Sequence, residues 1–315
     1  MSEGERIAKV MARAGLASRR QAELWITEGR VSVNGSVISS PALNVTPRDR
    51  IVVDGAPLRE RERTRLFLYH KPRGLMTTHS DPEGRPTIFA ALPKNLPRLI
   101  SVGRLDYNTE GLLLLTNDGT LARILELPKT AWERRYRVRA LGRITQDALD
   151  NLKSGVTIDG ARYGPVEATL DREQGANVWL TFAIKEGKNR EVRNVLLHLG
   201  LQVNRLIRLA FGPFELGAID DGEVEEVPTE KLRALLGESI INESSADFEG
   251  PVLQYDAAPR ARREPPKHVR ERKGPPTENR GPPKKTFQRR DRGSGPRPSR
   301  PKPSTKPASK PRDER

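Results

Sequence analysis

The sequence predicts an α+β fold in three parts: a small module of two helices and a hairpin, a mixed, mostly antiparallel β-sheet domain flanked by helices, and a basic tail without stable structure. Three observations carry this reading. Residues 5–60 place two short helical patterns ahead of a strong hairpin signal. Between residues 66 and 211 the chain returns repeatedly to short apolar or alternating runs closed by turn residues, with helical patterns between them. After Tyr255, 13 of the 26 prolines fall among repeated Lys and Arg with almost no apolar residues. Such a segment cannot bury enough surface to offset its ordering entropy, so disorder is expected there. The expected boundaries are 1–62, 63–250 and 251–315.

In the first part, Ile7, Val10, Met11 and Ala14 form one apolar helical face, and Gly15 is placed to stop that helix. Ser18 and Gln21 have the spacing of a capping box, which starts a second helix through Ala22, Leu24, Trp25 and Ile26 to about Gly29. Val31–Val33 alternates, Asn34-Gly35 signals a type I′ turn, and Ser36–Ile38 alternates back. Residues 49–53 supply another short strand. Arg13, Arg19, Arg20 and Arg30 surround these elements, either as solvated charges or as phosphate contacts.

The second part opens with Leu66–Tyr69, a buried-strand pattern, followed by the turn Lys71-Pro-Arg-Gly74. Residues 77–98 read as an irregular excursion. His70 and His79 have no neighbour at metal-ligand spacing, so each is expected to be a packed or surface histidine. Leu112–Leu115 is an apolar run too short for a helix, which reads as a strand buried on both faces. The polar stretch from Gly103 to Gly111 reads as a loop on the end of that strand. It is either a plain turn in which Asp106 and Asn108 bond their own backbone, or a mount for catalytic groups.

Leu121, Ile124 and Leu125 form a helical face closed by Pro128. Tyr136, Val138 and Ala140 then alternate with Arg135, Arg137 and Arg139, giving a half-buried strand with one basic face. That strand is either an edge protected by charge or a surface laid along a phosphate backbone. A helix over 144–152 follows, with strands near 155–160, 166–170 and 178–184. The next helix carries Val192, Val195, Leu196 and Leu199, and Lys188, Arg190 and Arg193 crowd its N-terminus. Cations there oppose the helix dipole unless an anion is present, which points to function. Val203–Phe211 reads as a late strand, and a last helix starts at Pro228.

Charge is unevenly spread. Residues 256–315 hold 20 Lys+Arg against 7 Asp+Glu, a net of +13 within the chain's +15, so the rest is nearly neutral. Within that remainder, residues 64–214 are net +8 and residues 215–250 net −9, which leaves one basic region for anions. The absence of cysteine excludes disulfides and thiolate metal sites and fits a reducing cytoplasm. No signal core or membrane-length apolar run is present, so a cytoplasmic protein is expected.

The string Gly-Arg-Leu-Asp106, two residues, Thr109, one residue, Gly-Leu-Leu-Leu-Leu-Thr-Asn-Asp-Gly119 resembles the signature of RsuA-type ribosomal RNA pseudouridine synthases. Lys71-Pro-Arg-Gly resembles the family's segment after its first strand. Arg135-Tyr136-Arg-Val resembles its second motif, with Arg135 where lysine is usual. Glu186-Gly-Lys-Asn-Arg-Glu-Val-Arg193 resembles its third, with Glu191 and Asn194 where glutamine and a second arginine are frequent. Residues 5–60 resemble the S-four RNA-binding module, whose second helix presents basic residues to RNA phosphates. The long basic tail resembles that of B-type, large-subunit members.

The resemblance implies an isomerase with Asp106 as the essential carboxylate, acting as nucleophile or base, and with Tyr136 against the target uracil. It also implies Arg193 paired with Asp106, and Arg104 filling the gap left by the flipped uridine. Further RNA contacts are expected from Arg13, Arg19, Arg20, Arg30, Arg135, Lys188 and Arg190. Isomerisation has no redox or phosphoryl step, so no cofactor or metal is expected, and a monomer acting on ribosomal RNA or a pre-ribosomal particle follows. Three alternatives remain at this level: a small-subunit rRNA enzyme, a non-catalytic ribosome assembly factor, and a glycosidase built on Asp106 and Glu110.

Overall fold

The computed structural model describes residues 4–255. The expected disordered tail, from residue 256 onward, lies outside the described residues.

The helix Ile7–Arg13 is followed by Arg19–Thr27, capped by Ser18, whose hydroxyl accepts from the Gln21 amide at 3.1 Å. Asn34 and Gly35 both take positive φ (52° and 85°), the type I′ geometry that joins Val31–Val33 to Ser36–Val37. These strands join Ile51–Val53 and Ala56–Pro57 in a four-stranded sheet. Ile7, Met11, Ala22, Ile26, Val31 and Val53 form the core of this region.

The large sheet has nine strands. Its path runs Val166–Gln174, Asn177–Ile184, Arg134–Leu141, Gln202–Phe211, Glu110–Thr116, Leu66–Lys71 and Val224–Glu226. Every pairing along that path is antiparallel except that of Gln202–Phe211 with Glu110–Thr116. The sheet is therefore mixed and mostly antiparallel, as expected. Glu110–Thr116 is buried at all seven positions, because Leu112 and Leu114 face one core cluster while Leu113 and Leu115 face another. Asp118 caps the helix Gly119–Glu126 by accepting from the amides of Thr120 and Leu121. That helix packs Leu121 and Leu125 with Leu232 and Leu236 of the C-terminal helical segment Thr229–Ser244.

Two expectations change. The Arg134–Leu141 strand is paired on both sides, so its arginines are not an edge-protection device. The excursion over residues 77–98 contains a short helix, Ile88–Ala91, capped by the Thr87 hydroxyl. Its four residues are too few to display a helical period.

Candidate active site

The loop 103–109 leads into the buried strand Glu110–Thr116 at a point of very close approach. Gly111 has φ 99° and pairs with Arg208, and a Cβ at Gly111 would stand 2.3 Å from the Arg208 carbonyl oxygen. Only glycine permits this contact. From below, Lys71, with no exposed surface, donates its ammonium to the carbonyls of Pro72 (3.0 Å), Asp106 (3.2 Å) and Thr109 (3.0 Å). Burial pushes the Lys71 pKa down to about 8, against the opposing pull of the Asp106, Glu110 and Asp221 charges. The loop is also bound from the side. The Thr77 hydroxyl donates to the Leu105 carbonyl at 2.7 Å, and the Gly74 amide donates to the Tyr107 carbonyl at 2.9 Å. Asp106 is thus presented on a loop fixed at several atoms, with its side chain 40% exposed.

The cation nearest the Asp106 carboxylate is Arg190, at 3.6 Å. Arg190 is the left-handed cap (φ 51°) of the helix Glu191–His198. Arg193, one turn further, does not make the expected ion pair. It donates Nη2 to the Asn108 carbonyl (3.2 Å) and Nη1 to the Val203 carbonyl (3.3 Å), and its buried Nε has no partner. Burial and the charges of Arg190 and Arg73 push its pKa down, while Asp106 pulls it up. The physical reason is geometric: the helix start aims Arg190 at the carboxylate and turns Arg193 under the neighbouring backbone. The crowded helix N-terminus is eased by Glu191, which reaches back to accept from the Lys188 amide at 2.9 Å.

Tyr136 is 7% exposed on the central strand, with Arg134 and Arg208 beside it. Arg134 donates to the carbonyls of Trp132 (2.9 Å) and Lys185 (2.8 Å) and lies 4.7 Å over the Phe211 ring. Asp106, Arg193, Tyr136, Arg134 and Arg208 all line one cleft of about 1290 Å³, as does Arg104. The cleft is large enough for a flipped nucleotide, and several cations line it together with the Asp106, Glu126 and Glu186 carboxylates.

The expected RNA contacts divide into two groups. Arg19, Arg20 and Arg104 are exposed and make no ion pair among the described residues. Arg13 pairs with Glu5 (2.5 Å), Arg30 with Asp54 (2.6 Å), Arg135 with Glu215 (2.7 Å), and Lys188 with Glu186 (2.8 Å). Exposed pairs contribute only about 0–1 kcal/mol, so a phosphate competes with them readily. His70 binds the Ile219 carbonyl through Nδ1, and His79 stacks on Phe89. Among the described residues no group of three or more acidic or histidine side chains could hold a metal ion.

Sequence reasoning missed the roles of Lys71, Arg134 and Arg208. The signal was present for two of them. Alternation puts Lys71 on the face of Phe67 and Tyr69, and Arg208 on the face of Leu206 and Ala210, and all of these are buried.

The fold presents the Asp106 carboxylate on a braced loop at the wall of a basic cleft. Residues 65–198 match the family model for RNA pseudouridylate synthase, and residues 5–51 match that for the S4 domain. An uncharacterized RNA pseudouridine synthase of Rickettsia bellii is 46% identical over 228 residues, covering 72% of this chain and 98% of its own length. A Pseudomonas aeruginosa protein named ribosomal large subunit pseudouridine synthase B is 46% identical over 217 residues, 67% of this chain and 56% of that one. A crystal structure of a pseudouridylate synthase superposes with a TM-score of 0.50 at 28% identity, covering 72% of this chain and 98% of that chain. The chain belongs to the RNA pseudouridine synthase family, isomerases that convert uridine in RNA to pseudouridine.

Proposed function

We propose that this enzyme isomerises one uridine of large-subunit ribosomal RNA. The observation that carries this reading is the Asp106 carboxylate, held on its loop at the wall of a basic cleft that also contains Tyr136 and Arg193. The likeness to proteins named for the large ribosomal subunit supports the choice of RNA. In the proposed reaction Asp106 acts at the sugar, as nucleophile or base, and the ribose-to-nitrogen bond breaks. The uracil turns against Tyr136 and rejoins the sugar through a ring carbon. Arg193 holds the Asn108 backbone beside the carboxylate, and Arg190 stands 3.6 Å from it. Arg104 is positioned to occupy the stack that the uridine leaves.

Two-carboxylate glycoside hydrolysis is disfavoured by Glu110, which is 7% exposed and already held by Arg205 at 2.8 Å. The N-terminal module, within the expected boundary near residue 62, supplies RNA affinity through Arg19 and Arg20. The enzyme acts as a cytoplasmic monomer on rRNA or a pre-ribosomal particle. No helix of the described residues is long and apolar enough to cross a membrane.

Mapping pseudouridine in rRNA from a strain lacking this gene tests the assignment. One missing large-subunit site, restored by the purified enzyme on that RNA, is the expected result. A missing small-subunit site would reassign the substrate, and an unchanged map would favour an assembly factor without catalysis.

A further inference from the structure

Arg208 is 4% exposed and lines the catalytic cleft, yet it makes no ion pair among the described residues. Its Nε donates to the Leu112 carbonyl at 2.7 Å, while its Nη2 is buried without a partner. The groups that face it are the Tyr136 phenol and the ring of Phe211, 5.1 Å away. Arg134 approaches the same ring from 4.7 Å and adds a like charge beside it. An isolated buried cation is strongly disfavoured, and a second one nearby makes the site worse. Burial accordingly pushes the Arg208 pKa down, but a guanidinium keeps its charge in proteins. Arg208 therefore holds an unpaired positive charge at the wall of the cleft.

We infer that Arg208 is a catalytic residue whose guanidinium receives the negative charge of the uracil ring while that ring is detached from the ribose. This rests on the function proposed above. Whether Asp106 bonds C1′ or removes a sugar proton, the C1′–N1 bond breaks and its electron pair leaves with the ring. The detached uracil then carries one negative charge, spread over N1 and the two carbonyl oxygens. C5 afterwards bonds to C1′, the C5 proton is lost, and N1 takes one up, so the product is an isomer and nothing is left over. A fixed donor aimed at charge that exists only during this interval stabilises the reaction and not the bound substrate. Arg208 is suitably placed, because it pairs with Gly111, five residues beyond Asp106 on the adjacent strand.

The test compares wild type, Arg208→Met and Arg208→Lys on a large-subunit rRNA fragment carrying the mapped uridine, and on the same fragment with 5-fluorouridine there. The fluorine makes the base more acidic and therefore a better leaving anion. The readout is the single-turnover rate at which the N-linked nucleoside disappears at saturating RNA, together with RNA affinity and thermal unfolding. Arg208→Met should lose roughly 100-fold on uridine and distinctly less on 5-fluorouridine, with affinity within a few-fold. Arg208→Lys should fall between. Equal losses on the two bases in a folded variant would overturn the inference and leave Arg208 as a brace for Leu112. Should Arg208→Met not fold, the same ratio measured for Arg208→Lys decides. A wild-type enzyme that converts no uridine would instead overturn the parent reading.

Discussion

The ammonium of Lys71 donates to the Thr109 carbonyl at 3.0 Å, across the base of the loop that carries Asp106. A lysine without exposed surface is costly, and its carbonyl acceptors show what it is used for: it ties the middle and the end of one loop to the strand beneath. Lys71→Met keeps the bulk and removes the donors, leaving buried carbonyls unsatisfied. We expect a loss of about 3 kcal/mol in denaturant unfolding and a fall in kcat larger than the change in KM.

The same residue gives a pH prediction. The folded-state pKa of Lys71 is depressed to about 8, below its ordinary value. Between the two values the unfolded chain binds more protons than the folded one, so unfolding free energy rises with pH. Wild type should therefore gain stability relative to Lys71→Met as pH rises from 8 towards 10. A difference that stays flat over that range would place the Lys71 pKa elsewhere.

Gly111→Ala should be among the most damaging small substitutions in the chain. The added methyl meets the Arg208 carbonyl at 2.3 Å and imposes a positive φ on a non-glycine residue. Strain and overpacking together cost about 3 kcal/mol or more. Because the displaced backbone carries both Asp106 and Arg208, turnover should fall even where the variant folds. Urea unfolding and single-turnover assays on the same preparation check both halves.

Asp106→Asn keeps shape and removes the ionisable group, so isomerisation should be abolished while RNA affinity stays within a few-fold. Arg193→Ala should also inactivate, because the Asn108 carbonyl beside the carboxylate loses its donor. Arg193→Lys should retain part of the activity, since a charge and a donor survive. Turnover of Arg193→Ala equal to wild type would show that Arg190 alone suffices at Asp106.

Much of this architecture was legible in the sequence, because period and turn chemistry are local properties. The run Leu112–Leu115 announced a doubly buried strand, Asn34-Gly35 a hairpin, and Ser18 a helix start. The motif around Asp106 marked the loop on which the cleft is built. Which arginine would meet the carboxylate was not legible. That depends on the left-handed conformation of Arg190, a backbone property that an arginine residue does not advertise. The central place of Arg134–Leu141 was hidden for a different reason. Its two partner strands lie about 40 and 70 residues further along the chain, and strand order is a tertiary outcome that alternation cannot encode.

Residues 256–315 carry +13 of the +15 formal charge. A chain ending at Tyr255 keeps the hydrogen bond from that tyrosine's hydroxyl to Glu62 (2.9 Å) and every residue lining the cleft. Thermal unfolding of the truncated protein should therefore match that of the full chain, and turnover at saturating RNA should be nearly unchanged. Affinity is where the loss should fall. Each phosphate neutralised by the removed Lys and Arg releases a counterion, so the full chain should show the steeper decline of binding with salt. The two affinities should differ most at low salt and converge as screening shortens the reach of the charges. Filter binding of an rRNA fragment to both forms, from low to high salt, measures this directly. Identical salt slopes would show that these residues do not touch RNA, and a collapse of turnover at saturation would place part of them at the cleft.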